Sequence, residues 1–198
     1  MNVKTIGVIG AGASGREIAC ASVLAGFRTV LEDVSPESLD QAVAYVYKSL
    51  EAGVCCTKLT PNQKTAAIAN LYTARNVEDA CRQADLLIEA LPEELELKLE
   101  IFTIFDKFAR PGAILASNTS SFSIKDLAEM TFRRDNCVGL RLRHSAPNEN
   151  LLEVIRAPET SDATVAACAD VGRRMGKEVV VLGDAPEIIP GRISALQE

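Results

Sequence analysis

The sequence predicts an α/β protein of the Rossmann type, with a doubly wound, mostly parallel sheet and an inserted helical hairpin. A glycine-rich turn follows the first apolar run, and short β-prone runs then alternate with helical patterns along the chain. The 198 residues, 47% of them hydrophobic, are enough to bury one sizeable core. We expect one domain over residues 1–186, followed by a tail over residues 187–198.

The first predicted element is a buried strand over residues 4–9 that ends in a glycine loop. Gly10, Gly12 and Gly15 stand in the spacing G-x-G-x-x-G, and an alanine-rich helix then runs to Gly26. Gly10 permits a tight turn, Gly12 allows a ligand close to the backbone, and Gly15 allows close packing of helix on strand. The amide groups of such a helix N-terminus bind phosphate, so the loop indicates a phosphate site.

The second predicted strand covers residues 27–31 and is closed by Glu32 and Asp33. An acid about 20 residues after a glycine loop is the second half of a dinucleotide-binding pattern, because it meets the ribose hydroxyls. The pattern therefore favours a dinucleotide site, and the alternative is a sharp strand-to-helix turn without a ligand.

A helical hairpin is predicted over about residues 36–70. Ser35 and Pro36 begin its first helix, and a capping box that starts at Thr60 begins the second. A plain Rossmann unit has one helix here, so the hairpin is an insertion. It could cover the cofactor, offer a surface to substrate, or be a structural elaboration only.

The rest of the chain continues the alternation of strands and helices. We predict strands at 71–73, 84–90, 113–117, 138–140, 151–155 and 178–182, and helices at 77–82, from Pro92 to Pro111, from Ser123 as cap to Met130, and at 160–175. A polar run, residues 118–121, follows one of these strands at its carboxyl end. Ligands bind at that end of the strands in open α/β sheets.

The composition excludes several classes of function. A net charge of −6 with interspersed acids and bases gives no nucleic-acid footprint, and no apolar run approaches the ~18 residues of a membrane span. The six cysteines lack C-x-x-C spacing, which favours free thiols in a reducing compartment and no metal site. We expect a cytoplasmic protein that binds neither nucleic acid nor membrane.

Four motifs together resemble the NAD-binding domain of the 3-hydroxyacyl-CoA dehydrogenase family, over essentially the whole chain. They are residues 10–15 with Asp33, residues 84–90 followed by Glu93 and Lys98, residues 117–121, and residues 151–155. The resemblance implies NAD as the cofactor, with contacts from Gly10, Gly12, Ala13, Ser14, Gly15, Asp33, Glu93, Lys98 and Ser120. The carboxylate of Asp33 favours NAD over NADP, because it repels a 2′-phosphate.

The resemblance also implies a reaction, the oxidation of a 3-hydroxyacyl thioester of CoA or an acyl carrier in fatty-acid metabolism. In the family a histidine accepts the hydroxyl proton, a glutamate orients it, and a serine and asparagines position thioester and cofactor. Ser120, Asn118 and Glu153 match these residues, but Arg141 stands at the position of the histidine. A guanidinium stays protonated and cannot be a general base near neutral pH. His144, three residues later, is the alternative base.

Two further expectations concern the end of the chain and the choice of function. The tail resembles the link to a helical domain that we expect to be absent, and its apolar residues predict a homo-oligomer. One hypothesis is an NAD-dependent oxidoreductase of the family's type. The alternatives are an NAD-binding homologue without dehydrogenase activity, which serves as a sensor or partner subunit, and an FAD enzyme, which the residues after the glycine loop disfavour.

Overall fold

The computed structural model describes residues 2–142 and 150–184, in which strands and helices alternate as predicted. The strands are β1 (Thr5–Ile9), β2 (Arg28–Glu32), β3 (Leu71–Thr73), β4 (Leu86–Glu89), β5 (Ile114–Ser117), β6 (Cys137–Leu142), β7 (Leu151–Arg156) and β8 (Glu178–Gly183). The helices are α1 (Ala13–Leu24), α2 (Pro36–Cys55), α3 (Pro61–Ala69), α4 (Val77–Gln83), α5 (Leu95–Phe108), α6 (Ile124–Ala128) and α7 (Asp162–Arg174). A 3₁₀ turn, Arg134–Asn136, precedes β6.

All eight strands form one sheet in the order β3-β2-β1-β4-β5-β6-β7-β8. Neighbours from β3 to β6 pair in parallel, whereas β7 is antiparallel to β6 and β8 is parallel to β7. The predicted fold class, a mostly parallel Rossmann-type sheet, is confirmed. The strand order reverses between β1 and β4, and this switch point opens a crevice at the carboxyl ends of the strands.

Helices cover both faces of the sheet and give two hydrophobic cores. Residues of α1, α2, α3 and α7 pack on one face, with buried side chains such as Ile18, Val46 and Val171. Residues of α4, α5 and α6 pack on the other, where the rings of Phe102 and Phe105 lie 5.7 Å apart. The short, fully buried strands between these layers are typical of a parallel sheet.

The predicted hairpin forms from α2 and α3. The side chain of Ser35 accepts from the amide of Ser38 at the start of α2, and Thr60 and Gln63 form the predicted capping box of α3. None of the helices in residues 2–142 and 150–184 combines the length and the apolarity that a membrane crossing needs.

One predicted helix start was wrong in detail. Helix α5 begins at Leu95 rather than at Pro92, because Leu91 and Glu94 are held in a turn by Glu89 and Pro92. Glu93 therefore precedes the helix, and its side chain turns toward the loop after β5.

Helix α6 starts where it was predicted, but its capping bond differs from the expected one. Ser123 occupies the N-cap position, but its hydroxyl makes no capping bond to the helix. The carboxylate of Asp184 accepts from the amides of Ile124 and Lys125 instead, and from the hydroxyl of Ser123. The end of β8 thus caps a helix about 60 residues earlier in the chain, a contact that local sequence does not reveal.

Candidate dinucleotide site

The glycine loop between β1 and α1 uses its three glycines for three different purposes. Gly10 has φ +101°, and a Cβ there would lie 2.7 Å from the carbonyl oxygen of Ala90. A Cβ on Gly15 would lie 1.8 Å from the carbonyl oxygen of Gly10, so helix and loop touch without a side chain between them. A Cβ on Gly12 would meet no described heavy atom within 4 Å. The space in front of Gly12 is therefore free for a ligand at the N-terminus of α1.

Asp33 follows β2 and lies against the same loop. Its Oδ2 accepts from the amide of Ala11 at 2.7 Å, and its Oδ1 accepts from the amide of Ser35 at 2.8 Å. Because each carboxylate oxygen can accept more than one hydrogen bond, the half-buried Asp33 can hold the loop and still accept from ribose hydroxyls.

A cavity of about 710 Å³ opens beside the loop at the switch point of the sheet. Its polar rim contains Gly12, Ser14 and Asp33, and its apolar walls include Val77 of α4 and Ile101 and Ile104 of α5. The volume is in the range of cofactor sites, and apolar walls beside a phosphate-binding loop suit an adenosine. The residues present therefore fit the adenosine and pyrophosphate of a dinucleotide.

Glu32 is an additional carboxyl in this cavity. The residue is only 3% exposed, and it lines the cavity next to Asp33. Burial, and secondly the charge of Asp33, raise the pKa of Glu32 from 4.5 to about 7. A carboxyl that titrates near neutral pH thus lies where the dinucleotide would bind.

A second polar cluster surrounds Lys98, which is 1% exposed. Its Nζ lies 2.7 Å from Oε1 of Glu89 and 3.2 Å from Oε2 of Glu93, and it also donates to the carbonyl oxygen of Leu91 at 3.3 Å. Glu89 in turn accepts from the hydroxyl of Ser117 on β5. Lys98 thus donates hydrogen bonds to Glu89 and Leu91 and forms an ion pair with Glu93, which holds the Glu93 carboxylate from the side of the protein interior.

Glu93 connects this cluster to the polar run after β5. Its Oε1 accepts from the amides of Ser120 and Ser121, each at 2.9 Å, and from the hydroxyl of Thr119. Burial alone would raise the pKa of Glu93, but these hydrogen bonds and the charge of Lys98 outweigh it and lower the pKa. Glu93 is thus a carboxylate at neutral pH, and the exposed Ser120 is held beside it.

Arg141 on β6 and Glu153 on β7 are direct cross-strand partners. Nη1 of Arg141 donates to Oε2 of Glu153 at 3.0 Å, and its Nε donates to the carbonyl oxygen of Thr119 at 3.0 Å. The side chain of Asn118 accepts from the amide of Leu142 at 3.2 Å. The predicted catalytic residues Asn118, Arg141 and Glu153 therefore lie around the ends of β5 and β6. His144 lies outside the described residues.

The candidate residues form two groups along the crevice. The glycine loop and Asp33 border the cavity. Glu93 bonds to Thr119 and Ser120, and Arg141 connects Thr119 to Glu153. The loop over residues 90–94 connects the two groups, since Ala90, Leu91 and Pro92 line the cavity and Glu93 bonds to Ser120.

Sequence reasoning missed the roles of Glu32, Glu89, Ser117 and Thr119. The first two had a usable signal, because each is an acid at the end of an otherwise apolar run and such a buried charge needs a partner. Ser117 and Thr119 carried no comparable signal, since short hydroxyl side chains are common after strands.

A glycine loop, an acidic residue directly after the second strand and a cavity at the switch point of a parallel sheet define a dinucleotide-binding Rossmann domain. Residues 5–185 match the profile of the 3-hydroxyacyl-CoA dehydrogenase NAD-binding domain. The chain belongs to this family, which implies NAD binding.

Relatives in sequence and structure agree with this assignment. The chain is 38% identical over 191 residues to the 3-hydroxybutyryl-CoA dehydrogenase of Bradyrhizobium diazoefficiens, covering 96% of this chain and 65% of that protein. It is 34% identical over 197 residues to the mitochondrial hydroxyacyl-coenzyme A dehydrogenase of Rattus norvegicus, covering 96% of this chain and 62% of that protein. The crystal structure of (S)-3-hydroxybutyryl-CoA dehydrogenase from Ralstonia eutropha superposes with a TM-score of 0.88 at 34% identity, covering 93% of this chain and 65% of that structure's chain. The chain thus spans about two thirds of the length of these relatives.

Proposed function

We propose that this chain binds NAD(H) at the glycine loop and acts in the oxidation of the 3-hydroxyl group of an acyl thioester. The supporting observation is the cavity in front of Gly12, bordered by Asp33, at the same sheet edge as Asn118 and Ser120. The names of the relatives, 3-hydroxybutyryl-CoA and hydroxyacyl-CoA dehydrogenases, supply the class of substrate.

Each part of the proposed cofactor site has a physical role. Amide groups of Gly12, Ala13 and Ser14 face the pyrophosphate, and Asp33 accepts from the ribose and rejects a 2′-phosphate. Ser120 offers its exposed hydroxyl to the nicotinamide half, and Glu93 holds the backbone of Ser120 in place. Lys98 acts through Glu93, since its ammonium group is buried.

The proton of the substrate hydroxyl is the decisive issue for the reaction. Bound NAD supplies the hydride acceptor, and the protein must supply the proton acceptor. In the proposed reaction Asn118 and Ser120 position the substrate, and His144 takes the proton in place of the family histidine. Arg141 stays protonated and contributes positive charge only.

A second candidate function is NAD(H) binding without dehydrogenase activity, as a sensor or partner subunit. The ion pair between Arg141 and Glu153 favours it, because the glutamate that would orient a base is paired with a guanidinium. In a histidine dyad the same carboxylate would stabilise the imidazolium that forms during the reaction.

Calorimetry with NAD and an absorbance assay with NAD and 3-hydroxybutyryl-CoA separate the two candidates. Oxidoreductase function predicts NADH formation that is lost in His144→Ala. Tight NAD binding without NADH formation supports the second candidate, and a gain of turnover in Arg141→His then identifies position 141 as the lost base. Failure to bind NAD contradicts both.

The proposed setting follows from the same reasoning. The substrate is an acyl-CoA or acyl-carrier thioester, and the six free cysteines suit a reducing compartment such as the cytoplasm. Homo-oligomer formation remains a prediction, because the apolar residues that suggest it, residues 188–196, lie outside the described part of the chain.

A further inference from the structure

We propose that Glu32 selects adenine at the adenosine end of the cavity, by accepting a hydrogen bond from the 6-amino group of the base. This inference rests on the proposed binding of NAD(H). It adds a residue that reads the base itself, in addition to Asp33, which faces the ribose.

The Glu32 carboxyl lacks a partner among the described residues. Buried carboxyls in proteins are normally hydrogen-bonded or paired with a cation, because an unpaired one is costly. Glu32 is 3% exposed, yet its carboxyl makes no hydrogen bond or ion pair with residues 2–142 and 150–184. Neither carboxyl oxygen is fully sealed from solvent, and the residue lines the cavity. A ligand in the cavity can therefore supply the missing donor.

The side chain of Glu32 lies on the face of the sheet that carries the cavity walls. Successive residues of a strand point to opposite faces, so Glu32 shares a face with Val30 rather than with Leu31. Val30 packs in the core with Ala80 and Cys81 of α4, whereas Leu31 packs in the core on the opposite face. Glu32 thus faces the α4 and α5 side, where the apolar walls of the cavity lie.

The shape and the hydrogen-bonding groups of adenine suit this position beside Glu32. Val77, Ile101 and Ile104 form walls against which the flat faces of a purine ring can pack. A ring held between such walls presents only its edge to polar groups. The 6-amino group of adenine donates hydrogen bonds, and an ionised carboxyl only accepts them. Hypoxanthine carries a 6-oxo acceptor at that place, which a carboxylate repels.

The test compares NAD with nicotinamide hypoxanthine dinucleotide, in which the 6-amino donor of the base is replaced by a 6-oxo acceptor and N1 carries a proton. Affinities are measured by calorimetry on the full chain at pH 8, where Glu32 is mostly ionised. We expect the unaltered protein to bind NAD at least about tenfold more tightly, because a site built to accept a hydrogen bond rejects a ligand without the donor. Comparable affinities for the two dinucleotides would overturn the inference without the need of any variant.

Glu32→Gln is the matched variant, because an amide has the size of a protonated carboxyl and offers both an acceptor and a donor. The ratio of the two affinities should fall to within about threefold, while NAD itself still binds. Glu178→Gln, the same change at an exposed position on β8, should leave the ratio unchanged. An unchanged ratio in Glu32→Gln would refute the role of Glu32. Absence of NAD binding by the unaltered protein would refute the proposed function as well, so the two failures are distinguishable.

Discussion

Arg141 and Glu153 occupy directly paired positions of the antiparallel strands β6 and β7, and 3.0 Å separates Nη1 of Arg141 from Oε2 of Glu153. Both side chains are largely buried, with 13% and 9% of their surface exposed. Because a guanidinium does not titrate below about pH 12, Arg141 is a cation throughout the neutral pH range. A histidine at this position would lose its charge near neutral pH.

Arg141→Met should destabilise the fold by about 1–3 kcal/mol, because it removes one partner of a largely buried ion pair. The double variant Arg141→Met/Glu153→Leu should recover part of this loss, since it removes both charges. Urea denaturation of the two single variants and the double variant measures the coupling. Strictly additive losses would contradict the pairing.

Gly12→Ala and Gly15→Ala should separate ligand binding from folding. At Gly12 the new methyl group enters open space, so stability should change by less than about 0.5 kcal/mol. NAD affinity should fall by about 1–3 kcal/mol, or roughly 5- to 150-fold, because the methyl group crowds the pyrophosphate.

At Gly15 the methyl group would overlap the carbonyl oxygen of Gly10, so the fold itself should lose about 1–3 kcal/mol or more. Thermal denaturation measures the stability of both variants, and calorimetry measures their affinity for NAD. The reverse pattern, a stable Gly15→Ala protein and an unstable Gly12→Ala protein, would argue against the geometry of the loop.

Much of this architecture could be predicted because its signals are local. The glycine loop and the capping box at Thr60 depend on a few neighbouring residues, and the apolar strands follow from short runs. The cap of α6 by Asp184 and the hydrogen bonds of Glu93 to the amides of Ser120 and Ser121 depend on contacts between segments that are distant in the sequence. Only the folded sheet brings those segments together, so no pattern in the sequence could indicate them.

Asp33→Asn should weaken NAD binding by about 1–3 kcal/mol, because it replaces a charged acceptor of the ribose hydroxyls by a neutral amide. The preference for NAD over NADP should shrink at the same time, since the charge that repels a 2′-phosphate is removed. The ratio of the two affinities, measured by calorimetry, distinguishes this effect from a general loosening of the loop. An unchanged ratio would show that Asp33 does not face the ribose.

Glu32→Gln should stabilise the protein at pH 8 but hardly at pH 4.5. The pKa of Glu32 is raised from 4.5 to about 7, so the folded state holds the proton more tightly than the unfolded chain. The contribution of this bound proton to stability is complete below pH 4.5. It is lost as the pH rises to about 7, which lowers the free energy of unfolding by at most about 3 kcal/mol. The variant avoids this cost. Denaturation curves of the unaltered protein and Glu32→Gln at both pH values test this prediction. An equal change in stability at pH 4.5 and pH 8 would contradict it.

Lys98→Met should lower the free energy of unfolding by about 3–5 kcal/mol, because it leaves the fully buried Glu89 without its cation. Lys64→Met is the matched control, since Lys64 pairs with Glu51 at the surface and should contribute less than about 1 kcal/mol. Chemical denaturation of both variants gives the comparison. Similar small losses for the two variants would contradict a stabilising ion pair between Lys98 and Glu89.

The group formed by the buried Glu89 and Lys98 and the more exposed Glu93 has a consequence for how a cofactor binds. It fastens the segment after β4 to the start of α5, and through Glu93 to the segment after β5. These segments are preorganised, because charged hydrogen bonds fix them in a single arrangement before any ligand arrives. Association then requires little loss of backbone entropy, and more of the interaction energy appears as affinity.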